Sequence, residues 1–376
     1  MNQTPYAAVN GCIPFLYEAL PSRVRFGHGT RSQVGEEAER LGISRALLLY
    51  GPPHAAVADE LADRLGPRHA ASFDGARMHT PVEVTAEVMT MVAAHGIDGV
   101  VAIGGGSTTG LAKAIALRTD LPQIILPTTY AGSEMTPILG QTANGIKTTQ
   151  RSPKILPESV IYDVDLTMSL PVAISGVSGM NAIAHAIEAL YAHDANPVIN
   201  ALALESIRAL VKSLPAVKAD PANRAARADA LYGAWLAGVC LGAVDMALHH
   251  KLCHVLGGAF DLPHAETHAI VLPHALAYNA PAVPDVMRRL SAALDVDDVC
   301  LALHELNTTI GTPRGLSAIG LPESGIERVV ELALANPYRN PRPLASDGLR
   351  VLLRRAYDGA EPSAAVSEVP NDGQPS

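Results

Sequence analysis

Between residues 45 and 129, short apolar runs alternate with segments that carry apolar side chains at helical spacing, and this alternation constrains the fold most. The runs "RALLLYG", "DGVVAIGGGS" and "LPQIILPTT" are typical of buried strands, whereas "AAVADELADRLG" and "PVEVTAEVMTMVAAHG" are typical of helices. Strands separated by helices of this length indicate a parallel sheet with helices on both faces. We therefore predict a Rossmann-like α/β domain in the N-terminal part of the chain.

After "SVIYDVDLTMSLP" the strand signal fades, and residues 173–353 have an almost wholly helical pattern that is rich in Ala and Leu. A chain of 376 residues is also too long for one ordinary core. We predict an α/β nucleotide-binding domain at residues 1–165, an all-helical domain at 166–356 and a disordered tail at 357–376. The tail is mostly small, polar or acidic residues, which leave little apolar surface to bury.

The charge balance excludes several classes of partner. The chain has 28 basic and 37 acidic side chains and no basic patch of the kind that binds nucleic acid or an anionic membrane. It has neither a leader-like start nor the roughly 20 uninterrupted apolar residues that a membrane span needs. Cys12, Cys240, Cys253 and Cys300 show no CxxC spacing, as expected of buried thiols in a reducing compartment. We expect a cytoplasmic protein.

Two loops follow neighbouring predicted strands and offer groups for a phosphate. The first places three glycines and a serine between a strand and a helix, where bare backbone and helix N-terminal amides can approach a pyrophosphate. Its spacing is not GxGxxG, and a tight turn alone would also use these glycines. The second loop, "LPTTYAGSEMTP", emerges at the same edge of the sheet. The predicted cofactor-binding residues are Gly104, Gly105, Gly106, Ser107, Thr128, Thr129 and Ser133.

The segment "ALHHKLCHVLGGAFDLPHAETHAIVLPH" contains six histidines. His250 and His254 are four residues apart on a predicted helix, so their rings share a face, and a turn could bring His264 back toward them. Asn181 and His185 share a face of an earlier helix in the same way. We predict that these side chains converge on one site.

His249 lies about 100° round the helix from His250, and we predict that it points elsewhere. Taken singly, His249 and His268 are each expected to have only a structural role.

The motifs "RFGHGT", "FDGARMHTP", "GGGSTTGLAKAIAL", "LPTTYAGSEMTP", "GMNAIAHAIEALYA" and the histidine segment occur in the order found in the iron-containing alcohol dehydrogenase superfamily. The chain resembles this superfamily over about residues 10 to 356. Within the superfamily it is most similar to the maleylacetate reductase branch, which "ANPYRNPRPL" near the C-terminus also resembles.

The resemblance implies NADH or NADPH as cofactor and assigns roles to single residues. Metal-dependent members bind iron or zinc with an Asp and three His, which here fall on Asn181, His185, His250 and His264. His254 matches a histidine close to the nicotinamide. Asn181 stands in place of the carboxylate, and a neutral ligand there weakens the affinity of the site for a divalent ion. Gly110 likewise replaces the Asp of "GGGSxxDxAK", and both departures resemble the maleylacetate reductase branch.

The implied reaction reduces the conjugated carbon–carbon double bond of maleylacetate to give 3-oxoadipate in aromatic compound degradation. Hydride addition places negative charge on the ketone oxygen, which imidazoles titrating near neutrality could stabilise. The predicted catalytic residues are His254, His250, His185 and Lys251. Lys251, Arg339 and Arg342 are candidates for binding the substrate carboxylates, although each is at least as typical of a solvated surface charge.

Other interpretations stay open. The chain could be a metal-dependent alcohol or glycerol-type dehydrogenase that keeps its ion through three histidines alone. It could also be a cofactor-binding protein or a cyclase related to dehydroquinate synthase. The strand "RALLLYG" ends in Tyr50 and Gly51 rather than in an acid that would repel NADP, so both cofactors are plausible. An N-terminal arm, "FLYEALPSR", could pair with a second subunit, which favours a homodimer.

Overall fold

A computed structural model of the chain describes residues 15–20, 22–143, 146–335 and 338–365. In these residues six strands form one sheet in the order β1-β8-β5-β4-β2-β3, and every neighbouring pair in it is parallel. The strands are β1 (Arg23–Gly27), β2 (Ala46–Tyr50), β3 (His69–Phe73), β4 (Gly99–Gly104), β5 (Gln123–Pro127) and β8 (Ser159–Asp163). The predicted parallel α/β architecture is confirmed.

Helices cover both faces of this sheet, which explains why its central strands are continuously apolar. The helices are α1 (Val34–Arg40), α2 (Ala55–Leu65), α3 (Val82–Ala94) and α4 (Gly106–Thr119). Apolar side chains of α1 and α2 pack on one face, and those of α3 and α4 pack on the other. Because side chains alternate along a strand, Leu48 of β2 belongs to the first core and Leu47 and Leu49 to the second.

Two strand features were absent from the prediction. β1 pairs with β8 from Arg23↔Ser159 to Gly27↔Asp163 and forms one edge of the sheet. β6 (Ile138–Ala143) and β7 (Ile146–Arg151) form a separate antiparallel hairpin. The sequence between β6 and β7 reads Asn-Gly, which is a strong hairpin signal.

After β8 the described chain is helical, as predicted, and α5 lies at its centre. Every residue of α5 from Ser175 to Leu190 is buried, because helices that follow it in sequence pack around it. The helices are α5 (Val172–Leu190), α6 (Pro197–Ala219), α7 (Arg224–Ala243), α8 (Leu248–Phe260), α9 (His264–Asn279), α10 (Pro284–Leu294), α11 (Val299–Ile310), α12 (Gly325–Ala335) and α13 (Ser346–Asp358).

Part of the C-terminal end of the chain can be compared with the predicted domain boundaries. α13 continues to Asp358, two residues past the predicted end of the helical domain, and residues 366–376 of the predicted tail lie outside the described residues. Within the described ranges, no single helix has the length and apolar composition to cross a membrane. One pair, Arg224–Ala243 with Leu248–Phe260, reaches that composition only when joined, and it is bent by 94°.

Candidate active site

The glycine loop lies where β4 ends and α4 begins. Gly104 has a φ of 151°, and a Cβ there would run into the side chain of Thr108. α4 starts at Gly106, where a Cβ would meet nothing within 4 Å. The first turn of α4, whose amides have no partner within the helix, therefore has open space beside Gly106, and such a helix start can accept a phosphate group.

The loop after β5 lies directly against the glycine loop. The Thr128 amide donates to the Gly104 carbonyl at 3.0 Å, and the Thr129 methyl lies 3.1 Å from where a Cβ of Gly105 would be. The Thr128 hydroxyl lies 3.2 Å from Nε2 of His54, which follows β2. Three neighbouring strands of the sheet thus contribute to one polar edge.

Lys113 of α4 fixes the far end of the same loop. It is fully buried, and its Nζ donates to the carbonyls of Ser133, Thr136 and Ile138, at 2.7 Å for Thr136 and 3.0 Å for Ile138. Burial lowers the pKa of Lys113 to about 7. The Ser133 hydroxyl, predicted to bind cofactor, is buried and has no hydrogen-bond partner among the described residues.

The glycine at position 110 has a structural counterpart in Thr80. The Thr80 hydroxyl occupies the space that a side chain at Gly110 would need. Thr80 and the preceding His79 have φ values of 47° and 63°, and a β-branched residue in that region is strained. The loop before α3 therefore packs onto α4 only because position 110 lacks a side chain.

The histidines are organised around a buried carboxylate, that of Glu188. His185 Nδ1 lies 2.7 Å from His250 Nε2, and His250 Nδ1 lies 2.7 Å from Glu188 Oε2. Glu188 also accepts the backbone N–H groups of Ala247 and His249, each at 2.9 Å. Its charge thus caps the N-terminus of α8 and orients the first imidazole of that helix.

A second hydrogen-bonded pair adjoins the first. His249 Nε2 lies 2.9 Å from His268 Nδ1, both rings are fully buried, and the Cys253 thiol is 3.7 Å from His249 Nε2. The His268 ring centroid lies 5.0 Å from that of His250 and 4.3 Å from that of His264. The prediction that His249 points elsewhere is wrong, because α9 packs against that side of α8 and adds its own histidines there.

The histidine cluster has a buried part, here called the floor, and an exposed part, here called the rim. His185 and His250 are buried, whereas His254 and His264 are exposed, and the His254 ring centroid lies 6.3 Å from that of His250. Burial, followed by the charges of neighbouring imidazoles, holds the pKa values of His185, His249 and His268 well below the usual value. These three rings are neutral at pH 7, so the expectation of titration near neutrality is wrong for them.

The residues in the family's metal-binding positions do not fit a divalent ion. Asn181, His185, His250 and His264 offer four neutral donors, and His185 and His250 direct ring nitrogens at each other. Among the described residues, two clusters of His, Cys or acidic side chains have ligand atoms that all lie within 4.8 Å of one another. One is His249, Cys253 and His268, and the other is the exposed set His193, Asp194 and Asp245. The family's set is not one of them.

The predicted substrate-binding cations have different surroundings. Lys251 is half-buried, with its Nζ 5.5 Å from the centre of the Tyr338 ring. Arg342 donates to the carbonyls of Tyr278 and Ala364, at 2.7 and 3.2 Å, and so holds backbone segments together. Arg339 is exposed.

Glu188 and His268 are the site residues that sequence reasoning missed. Glu188 had a signal, because it follows His185 by three residues on the same face of an otherwise apolar helix. His268 follows His264 by four residues in the same manner.

Comparison with known proteins identifies the family of the chain. Residues 21–164 match the model of the family described as "Iron-containing alcohol dehydrogenase", and residues 175–357 match "Fe-containing alcohol dehydrogenase family, C-terminal". The maleylacetate reductase of Rhizobium sp. (strain MTP-10005) is 55% identical over 93% of this chain and 99% of its own length.

Solved structures share the fold. The maleylacetate reductase from Agrobacterium tumefaciens has a TM-score of 0.91 and 54% identity over 93% of this chain and 100% of its own. Sulfoacetaldehyde reductase from Bifidobacterium kashiwanohense in complex with NAD+ has a TM-score of 0.84 and 25% identity over 92% of this chain and 99% of its own. The chain belongs to the iron-containing alcohol dehydrogenase family.

Proposed function

We propose that the chain is a maleylacetate reductase that uses NADH or NADPH to reduce the conjugated double bond of its substrate, giving 3-oxoadipate. The observation that carries the proposal is the set of neutral donors at Asn181, His185, His250 and His264, where metal-dependent members of the family need a carboxylate. Relatives named maleylacetate reductase, above 50% identity over nearly their whole length, support the same conclusion. A metal-dependent alcohol or glycerol-type dehydrogenase and a cyclase are not favoured.

The glycine loop would hold the cofactor, which supplies a hydride when bound. The open first turn of α4 at Gly106 suits the pyrophosphate, and the hydroxyls of Thr128 and Thr129 border the same edge. The residues after β2, Gly51 and Pro52, bring no carboxylate to repel a ribose phosphate, which supports use of both NADH and NADPH.

The histidines would handle the negative charge and the proton. The hydride, which carries two electrons, adds to the carbon β to the ketone, and negative charge develops on the ketone oxygen. One proton must then reach the α carbon. We assign Glu188 as the acceptor from His250 Nδ1 and His250 Nε2 as the acceptor from His185 Nδ1, which leaves His185 Nε2 as an acceptor. The donor is then a rim histidine, and we assign it to His254, whose exposure lets it exchange protons with water.

Substrate binding and assembly complete the proposal. Lys251 and the exposed Arg339 suit the two carboxylates of a small dicarboxylate. We also propose a cytoplasmic homodimer. It is supported by the exposed apolar side chains of the N-terminal arm, Phe15, Leu16 and Tyr17, which are 54%, 83% and 41% accessible.

The deciding experiment follows the loss of NADH absorbance with maleylacetate, before and after prolonged dialysis against a chelator. We expect NADH to be oxidised and most of the activity to survive dialysis, because Asn181 stands where metal-dependent members of the family carry a carboxylate ligand. Activity that vanished on chelation and returned with iron or zinc would contradict the metal-independent mechanism. Absence of NADH oxidation in every condition would reject the function itself.

A further inference from the structure

A cavity of about 360 Å³ lies away from the histidine cluster, between α9, α11 and the segment that follows α11. Its polar lining consists of His274, His304, Asn307, Thr308, Thr312 and Arg314. Its volume equals that of roughly a dozen water molecules at about 30 Å³ each, so it can hold a small metabolite.

The cavity is separate from the proposed active site. Ile270 and His274 line it from α9, whereas His264 and His268 face the cluster. At about 100° per residue, Ile270 points roughly 200° away from His268, and His274 lies about 15 Å along the helix from His264. The two sites therefore occupy different faces and different turns of α9.

Three polar atoms around this cavity are buried without a partner among the described residues: His274 Nδ1, Asn307 Oδ1 and Thr312 Oγ1. His274 and Asn307 are only 3% and 7% exposed. The Asn307 amide nitrogen donates to the Ala269 carbonyl at 2.6 Å, which fixes the side chain and leaves its oxygen as the unused group. A buried polar group without a partner destabilises the protein, so three such groups around one cavity point to a polar guest.

The charges that line the cavity select an anion. The Arg314 guanidinium is exposed and makes no hydrogen bond or ion pair within the described ranges, and no acidic side chain lines the cavity. Burial, then the charges of His304 and Arg355, lower the pKa of His274 to about 3, so that ring is neutral. Arg314 and the Thr308 and Thr312 hydroxyls can donate to a carboxylate, for which a guanidinium has matching bidentate geometry.

Asn307 Oδ1 adds a requirement of its own, because it accepts and cannot donate. A guest with carboxylates alone would leave this oxygen unsatisfied, whereas a hydroxyl beside the carboxylate would donate to it. We propose that this cavity is a binding site for a small hydroxycarboxylate, with its carboxylate on Arg314 and Thr312 and its hydroxyl on Asn307.

Calorimetric titration of the full chain with malate, in the presence of saturating NADH, tests the proposal. Arg314→Met removes the cation and Thr312→Val removes one hydroxyl at nearly constant shape. We expect each to weaken malate binding, by about tenfold or more for Arg314→Met. Arg328→Met is the matched control, because Arg328 is an exposed arginine on α12 that pairs with Glu331, and this variant should bind malate as the parent does. The turnover of Arg314→Met with maleylacetate should equal that of the parent.

Succinate carries the same charges as malate but lacks the hydroxyl, and it should bind about tenfold more weakly. Inorganic phosphate, which is a compact anion, should also bind more weakly than malate. Malate affinity that was unchanged in both Arg314→Met and Thr312→Val, or no heat with millimolar malate, would overturn the site. Equal affinities for malate, succinate and phosphate would overturn the hydroxycarboxylate assignment.

Discussion

At the scale of single residues, Glu188 organises the histidine cluster. A buried carboxylate that accepts two close backbone N–H groups from the start of α8 is satisfied as an anion, and His250 then has to donate from Nδ1. With His250 Nε2 assigned as the acceptor from His185 Nδ1, Glu188 sets the direction of the hydrogen bonds that run through His250 to His185. Glu188 is therefore a positioning residue that acts through His250.

Replacing Glu188 with Gln should reverse this chain of hydrogen bonds. An amide offers one oxygen and one NH2. With the oxygen held by the His249 amide, the NH2 takes the place of Oε2, leaves the Ala247 amide without its acceptor and donates to His250 Nδ1, so that His185 Nε2 becomes a donor. We expect kcat to fall by about a hundredfold while the KM for NADH changes little. Nitrogen NMR of the histidine rings should show that His250 has exchanged tautomers. Unchanged ring spectra together with unchanged kcat would remove Glu188 from the mechanism.

His254→Ala should remove the proposed proton donor and lower kcat by about a hundredfold, with little effect on thermal stability because the ring is exposed. His95 is exposed at the end of α3, far from the cluster in sequence, and His95→Ala serves as the control.

His249→Ala behaves differently in our expectation. It deletes a fully buried ring and leaves His268 Nδ1 without its partner, so it should lower the melting temperature. If His254→Ala kept full activity, His254 would not be the proton donor and would have only a structural role.

At the scale of secondary structure, the junction of β4 with α4 separates binding from folding. A side chain at Gly105 would press on Thr129, at 3.1 Å from its methyl carbon, whereas one at Gly106 meets only open space. Gly106→Val should therefore leave the melting temperature nearly unchanged and weaken NADH binding by at least about tenfold, because the new side chain lies where pyrophosphate must approach. Gly105→Val should lower both the melting temperature and the affinity for NADH. NADH titration by fluorescence and thermal unfolding distinguish the two effects, and tight NADH binding by Gly106→Val would exclude this loop from the site.

Sequence reasoning succeeded where the signal is local. The central strands and their helices were predictable because each carries its own apolar period, and the i, i+4 spacing of His250 and His254 indicates only that they share a face of α8. It failed where a neighbour decides the environment. His185 and His250 are 65 residues apart, and nothing in the spacing of α8 shows that α9 covers the face of His249. The edge strand β1 is similarly defined by its pairing with β8 rather than by its composition.

At the scale of the whole molecule, one apolar core joins the α/β part to the helical part. Phe26 of β1 and Tyr162 of β8 pack against Trp235 of α7, with ring centroids 6.2 Å apart. The same core includes residues of the β5 loop and most of α5. The glycine loop and the histidine cluster are thus held in fixed relation by packing that crosses the predicted boundary at residue 165, which itself stays a prediction.

The edge of this shared structure is held by Glu37 of α1, and its titration should be visible in global stability. Glu37 is fully buried and contacts Arg25 and Arg23 of β1, Arg40 of α1 and Ser159 of β8. Burial raises the pKa of Glu37, but these hydrogen bonds outweigh it and lower the pKa to about 2 from 4.5. A depressed carboxyl pKa contributes stability above pH 4.5, and that contribution is lost as the pH falls toward 2. Because its arginine partners are partly exposed, we expect about 1–2 kcal/mol at pH 7.

Glu37→Gln should therefore be less stable than the parent by that amount in urea at pH 7, and the difference should shrink as the pH falls from 4.5 toward 2. Glu36→Gln is the matched control. Glu36 neighbours Glu37 and also pairs with Arg25, but its side chain is 67% exposed, so its replacement should change stability by less than about 0.5 kcal/mol. A Glu37→Gln deficit that stayed constant across this pH range would show that Glu37 stabilises the edge by its shape and not by its charge.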